Sequence, residues 1–257
     1  MTTALVTGAS AGIGRAFAEA LAARGDDLVL VARDAARLDS LAGDLVARHG
    51  IRCEVLGADL VTDDGRTATA ARLGDAAAPV DVLVNNAGMG TFGRFAESDV
   101  EAETLEIELN VVALVRLTHA ALGAMSARGR GAIVNISSVA GYQPAPSCAT
   151  YAATKAFVNS FTHSVHEEAR RVGVHVMLVC PGYTHTEFHA RAGLGTTALP
   201  ELVWQTADTV AATALHDLDR GRSVSVPGAL NRVVSAASSV TPAIVSRRVA
   251  GLVVRRT

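Results

Sequence analysis

Seven short apolar runs punctuate this chain, and they constrain its fold more than any other feature. They occupy residues 3–8 (TALVTG), 27–32 (DLVLVA), 53–60 (CEVLGADL), 80–88 (VDVLVNNAG), 131–138 (GAIVNISS), 174–182 (VHVMLVCPG) and 222–228 (RSVSVPG). The stretches between them are rich in Ala, Leu, Glu and Arg and long enough for helices, with helical spacing clearest over 13–24 and 34–49. Strands apolar on both faces and separated by helices predict a parallel sheet covered on both sides. The expected fold class is therefore α/β: one doubly wound Rossmann domain over residues 1–257, with about seven mostly parallel strands. Hydrophobic residues make up 49% of the chain and charged residues 19%, enough for a large core. No linker, repeat or low-complexity tract marks a second domain. The one long irregular piece, 184–205, reads as a substrate lid, and 229–257 as a C-terminal helical extension.

Several classes of function lose support at this stage. A net charge of −2 gives no electrostatic reason for a nucleic-acid partner. Cys53, Cys148 and Cys180 are odd in number and widely spaced, which suits a reducing compartment. The N-terminal stretch MTTALVTGAS is too short and uncharged for a signal peptide, and no apolar run approaches about 20 residues. The expectation is a cytoplasmic protein without a membrane span. His185 and His189 stand four apart near Glu187, but no wider ligand set supports a metal, so they are read as plain lid residues.

The first run ends in TGASAGIG, where Gly8, Gly12 and Gly14 open the first helical segment. Missing side chains let the backbone turn tightly and approach a pyrophosphate, whose charge the helix N-terminus meets. Gly8, Ser10, Gly12, Ile13 and Gly14 are the candidate phosphate contacts of a dinucleotide. The second run ends in Ala32 and Arg33. A carboxylate there would repel a 2′-phosphate, whereas a guanidinium would pair with it. Arg33 thus favours NADP(H), with NAD(H) the alternative if Arg33 is a solvated charge that Asp34 partly neutralises. Asp59 could receive the adenine amino group or cap a helix, with Leu60 packing inward. Asn86, Ala87 and Gly88, closing the fourth run, reach the edge where ligands bind in such sheets.

Ser138 ends the fifth run, and Tyr151 and Lys155 follow within YAATKAF, one helical turn apart. Carbonyl reduction needs a proton on oxygen as hydride reaches carbon. A free phenol has a pKa of about 10, too high for exchange near neutrality. A nearby ammonium and an oxidised nicotinamide would both lower it, and a serine hydroxyl would hold the substrate oxygen beside the phenol. Asn110, within IELNVVA, is a polar misfit on an apolar helix; a hydrogen-bonding role in the core would explain it.

With these motifs together, the sequence resembles a short-chain dehydrogenase/reductase of the single-domain type. The likeness runs from residue 1 to about 228 and takes in the glycine turn, NNAG, Asn110, Ser138, YAATK and PGYTHT, in family order. It implies that Tyr151 is the acid/base, Ser138 positions the carbonyl, and Lys155 also holds the nicotinamide ribose. It implies that Asn110 fixes a helix irregularity and a water in a proton relay. Pro181, Gly182, Thr184 and Thr186 would then shape the nicotinamide pocket. Arg33 fits the NADP(H)-preferring pattern. Ala11 departs from it, standing where some such members carry a second basic residue, and Arg15 is the nearest substitute. Homodimers or homotetramers, built through helices near 101–128 and 151–171, are also implied.

The expected substrate wall comprises 140–151, 89–95 and the lid, including Tyr142, Pro144, Phe92, Tyr183, Phe188, Leu194 and Trp204. It is mostly apolar and lacks a basic cluster, so the expected partner is a small uncharged aldehyde, ketone or secondary alcohol. The tail 241–257 carries four arginines and a partial apolar stripe, Val245, Val249, Leu252 and Val253, which suits a subunit face better than a membrane surface. A dinucleotide-sensing module without turnover is the competing class; the intact Ser138, Tyr151 and Lys155 set disfavours it.

Overall fold

The computed structural model describes residues 2–188 and 200–240. The lid residues His189 and Leu194 and the tail 241–257 lie outside them. Seven strands form one sheet: β1 (Thr3–Thr7), β2 (Asp27–Ala32), β3 (Cys53–Gly57), β4 (Val82–Asn85), β5 (Gly131–Ile136), β6 (Val174–Val179) and β9 (Val224–Ser225). Their spatial order is β3-β2-β1-β4-β5-β6-β9, and every pairing is parallel. Two further short strands, β7 (Thr184–His185) and β8 (Gln205–Thr206), pair with each other and clasp the two ends of the predicted lid.

The helices are α1 (Gly12–Ala23), α2 (Ala35–His49), α3 (Asp63–Leu73), α4 (Val100–Ile107), α5 (Leu114–Arg128), α6 (Ala149–Ala169), α7 (Ala207–Asp219) and α8 (Ala229–Val240). Local chemistry sets their ends. Asp34 caps α2 by accepting from the Arg37 N–H at 3.0 Å, and Gly50 ends that helix at φ +68. Thr62 caps α3 in the same way.

Successive strand residues point to opposite faces, so each face acquires its own core. Val6, Leu30 and Met177 meet Phe17, Leu38, Leu45 and Leu215 on one side; Leu5, Leu83 and Ile133 meet Leu73, Leu117 and Val165 on the other. The continuous helix Val100–Arg128 is long and apolar enough, by length and composition, to cross a membrane. Its inner residues Leu117, Ala121 and Met125 are buried in the second of these cores. The strand order reverses beside β1 and β4, and the C-terminal ends of the strands there open the crevice expected of this topology.

Candidate active site

One cavity of ≈ 1200 Å3 runs along that crevice, from Arg33 past the glycine turn to Ser138, Tyr151 and Lys155. Nearly every predicted site residue lines it: Gly8, Ser10, Gly12, Ile13, Arg33, Asp59, Leu60, Asn86, Ala87, Gly88, Ser138, Tyr151, Lys155, Pro181, Gly182, Thr184 and Thr186. Gly14 and Asn110 lie behind its wall.

At one end the backbone is shaped for an anion. Gly8 and Gly12 adopt φ +66 and +55, the left-handed region open to glycine. A Cβ on Gly14 would fall within contact distance of the Gly8 carbonyl oxygen and the Asn86 amide. Ala11, at the start of α1, offers no side-chain acceptor to the first-turn N–H groups, unlike Asp34 or Thr62. Those amides and the cradle above them fit a pyrophosphate. Asn86 acts from behind: its Nδ2 donates to the Thr7 carbonyl at 2.9 Å, while the Thr7 hydroxyl accepts from the N–H groups of Asn86 and Ala87.

Arg33 is exposed at the β2 tip and makes no ion pair among the described residues, whereas Asp34 is engaged by its own helix and by Arg37. The alternative in which Asp34 neutralises Arg33 therefore loses its partner. Arg15 is paired with Glu19 at 2.9 Å and does not line the cavity, so it does not substitute for the basic residue absent at position 11. Asp59 accepts from the Val61 N–H at 3.1 Å; the cap of α3 is Thr62, and Leu60 is buried as expected.

At the other end, Ser138 Oγ accepts from the Ala140 N–H at 3.1 Å and borders the cavity with Tyr151, and Lys155 Nζ lies 5.7 Å from the Tyr151 ring centroid while donating to the Ile136 carbonyl at 3.1 Å. The phenol is framed by Phe92 and Phe188, with centroids 5.9 and 5.6 Å from its own. The expectation of an acidic phenol needs correcting for the chain by itself. Burial pushes Tyr151 up to about 12, against the Ser138 hydrogen bond, and pulls Lys155 down to about 8. Desolvation, which disfavours the charged form of each group, is the largest cause of both shifts.

Asn110 sits in a wide, π-type turn, Glu108–Ala113, between α4 and α5, which agrees with the implied irregularity. Its Oδ1 accepts from the Met89 N–H at 3.0 Å, and its Nδ2 donates to the Met89 carbonyl at 2.8 Å and to Thr154 at 3.1 Å. The core hydrogen-bonding role inferred from the residue alone is thus present as well.

The substrate wall differs in part from expectation. Phe92, Tyr183 and Phe188 line the cavity, but Tyr142 turns towards Cys180, and neither Pro144 nor Trp204 is part of the lining. Trp204 stacks on His185 at 4.7 Å, and His185 bonds Glu201 at 2.9 Å. In their place come Leu230, Asn231 and Val234 from α8. The segment read as an extension therefore begins as cavity wall. Cys148 lines it as part of the predicted 140–151 wall, and Arg37 lines it unforeseen. Arg37 was visible as a basic residue one helical turn beyond Arg33; the approach of α8 had no local signal.

A family model described as short chain dehydrogenase matches residues 2–195. A bovine very-long-chain 3-oxoacyl-CoA reductase is 35% identical over 190 residues, which cover 72% of this chain and 60% of that protein, so the chain spans about three fifths of that relative's length. Among solved structures, a short-chain dehydrogenase from Sphingobium yanoikuyae in complex with NADPH is 39% identical with a TM-score of 0.85, covering 94% of this chain and 96% of the other. A bulky-bulky ketone specific alcohol dehydrogenase from Comamonas testosteroni is 33% identical with a TM-score of 0.80, covering 94% and 95%.

Proposed function

The chain belongs to the short-chain dehydrogenase family of NAD(P)-dependent oxidoreductases, and from that premise we propose that it transfers hydride between NADP(H) and an uncharged aldehyde, ketone or secondary alcohol, with Tyr151 as the acid/base. The observation that carries this reading is the convergence of Ser138, Tyr151 and Lys155 on one wall of a cavity whose far end is a glycine cradle. The bound nicotinamide supplies or accepts the hydride. The chain does the rest. Gly8, Ser10, Gly12, Ile13 and the start of α1 hold the phosphates. Arg33 receives the 2′-phosphate, supported by the absence of an acid at position 32 and by the NADPH bound to the Sphingobium protein. Lys155 holds the nicotinamide ribose, and Thr184 and Thr186 border the ring.

In reduction, Ser138 donates to the carbonyl oxygen and orients it, and the Tyr151 hydroxyl gives its proton to that oxygen as hydride reaches carbon. In oxidation the phenolate takes the hydroxyl proton back. Lys155 supports the phenolate, and the phenol would fall from its high value were a cationic ring bound beside it. Phe92, Phe188 and Tyr183 make an apolar wall suited to an uncharged substrate. The bovine reductase and the Comamonas alcohol dehydrogenase are named for carbonyl–alcohol chemistry, which supports the class.

The test is a panel of aldehydes, ketones and secondary alcohols followed at the nicotinamide absorbance, with NADP(H) and NAD(H) in competition. Turnover favouring NADP(H) is the expected result; binding of the nucleotide with no turnover across the panel would favour a sensing module. We also propose a homo-oligomer through α4, α5 and α6, whose exposed Leu105, Ile107 and Phe157 would be covered; a monomer by light scattering would refute it.

A further inference from the structure

Two carboxylates lie buried behind the substrate wall, and the proton transfer described above uses neither. Glu103 and Glu106 stand three residues apart on α4, hence on one face, and are 8% and 0% exposed. A buried carboxylate is costly without partners. Thr91 serves both: its N–H donates to Glu106 Oε2 at 2.7 Å, and its hydroxyl oxygen lies 2.6 Å from Glu106 Oε2 and 2.8 Å from Glu103 Oε2. Asn110 Nδ2 donates to Glu106 Oε1 at 3.4 Å, while Asn110 Oδ1 receives the Met89 N–H. Glu106 is thereby fastened to both ends of the strip Met89–Thr91. The middle of that strip runs close beside the acid/base, with no room for a side chain: a Cβ on Gly90 would lie 3.1 Å from Tyr151 Cδ2.

We propose that Glu106 is a positioning residue for the reaction: by bonding Thr91 and Asn110 it fixes the wall against which Tyr151 stands. This rests on the reading of Tyr151 as acid/base.

The charges around it have definite directions. Burial raises Glu106 above the ordinary carboxylate range; the two Thr91 bonds and Lys155 draw it back, and Glu103 opposes them. Burial also acts against ionised Glu103, but hydrogen bonds from Thr150, Thr91 and Ser98 outweigh it and hold that carboxyl low. With Glu106 raised and Glu103 held low, the first proton to enter the pair as pH falls goes to Glu106. Above that point the Glu106 anion favours the Lys155 ammonium and disfavours the Tyr151 phenolate. At the start of α6, Cys148 is also within its field: the thiol is raised first by burial and then by Glu106.

Glu106→Gln keeps the shape and removes the charge. In kcat against pH for alcohol oxidation, the ascending limb should move to lower pH by about one unit, with cofactor affinity unchanged. Thr91→Val weakens the hold on the Glu106 anion and should move the limb the same way by less; Thr91→Ser should restore it. A limb that stays in place in Glu106→Gln, whatever happens to its height, reduces Glu106 to scaffold and overturns the proposal. Should that variant not fold, an unmoved limb in Thr91→Val overturns it equally. An active wild type with an inactive Tyr151→Phe is required first, so that a static limb counts against Glu106 and not against the site.

Discussion

The turn from Gly8 to Gly14 and the wall around Tyr151 border one cavity, yet they are held by different means. The turn is positioned by backbone: two positive-φ glycines, a helix start, and Asn86 and Thr7 bracing the loop from behind. Arg33, at the same end of the cavity, is exposed and makes no ion pair among the described residues. The wall is positioned by buried polar side chains from three helical segments: Glu103 and Glu106, Asn110, and Thr154 with Lys155. Backbone geometry survives without its ligand, whereas buried ionisable groups change with every charge that enters or leaves. The first region is thus a fixed receptacle. The second is an electrostatic balance among buried groups, in which burial lifts the phenol and lowers the ammonium.

The strongest attack on this contrast is at Lys155, the buried cation of the second region, which is proposed to hold the nicotinamide ribose as well. Lys155→Met should cut kcat by about 10²–10⁴-fold, the range for an acid/base step left unsupported, and also weaken cofactor binding. A loss in KM alone would mean that the lysine only holds the ribose. Next comes Gly14→Ala, whose methyl group meets the Gly8 carbonyl oxygen. Destabilisation of about 1–3 kcal/mol is expected from such overpacking, together with weaker nucleotide binding. Full stability by chemical denaturation would show that the cradle is soft. Arg33→Asp should then weaken NADP(H) by roughly tenfold to a hundredfold, the worth of a charge-assisted contact, and leave NAD(H) less affected. Equal losses in titrations with both nucleotides would remove its assigned role. The smallest effect belongs to Asp27 at the far end of β2, held low chiefly by the Arg52 side chain, with bonds at 3.0 and 2.6 Å. A depressed carboxylate contributes stability above its unfolded value, near pH 4, and loses it as pH falls through the folded value. Asp27→Asn should therefore lower Tm slightly at neutral pH and not at pH 2, with catalysis untouched.

Legibility in the sequence divides along the same line. Strands apolar on both faces, as in DLVLVA and VHVMLV, announce a buried parallel sheet because their pattern is local, and the cradle does so because glycine spacing is local too. Ser138, Tyr151 and Lys155 could be aligned because strand end and helix follow one another closely. Glu106 could not: an acid within LEIELN reads as a helix surface until Thr91 folds over it. Tyr142 misled because an aromatic near Tyr151 in sequence can turn to the opposite side, here towards Cys180. The contribution of α8 depends on a return of the chain from beyond β9, which periodicity does not report.

A helix that starts without a side-chain acceptor keeps its first amide hydrogens for whatever anion arrives. At α1 the visiting nucleotide finishes the fold as well as reacting over it, and mass action ties the melting point to its concentration. In a living cell the lifetime of the polypeptide would then follow coenzyme supply, with chains made in excess of it the first to meet a protease.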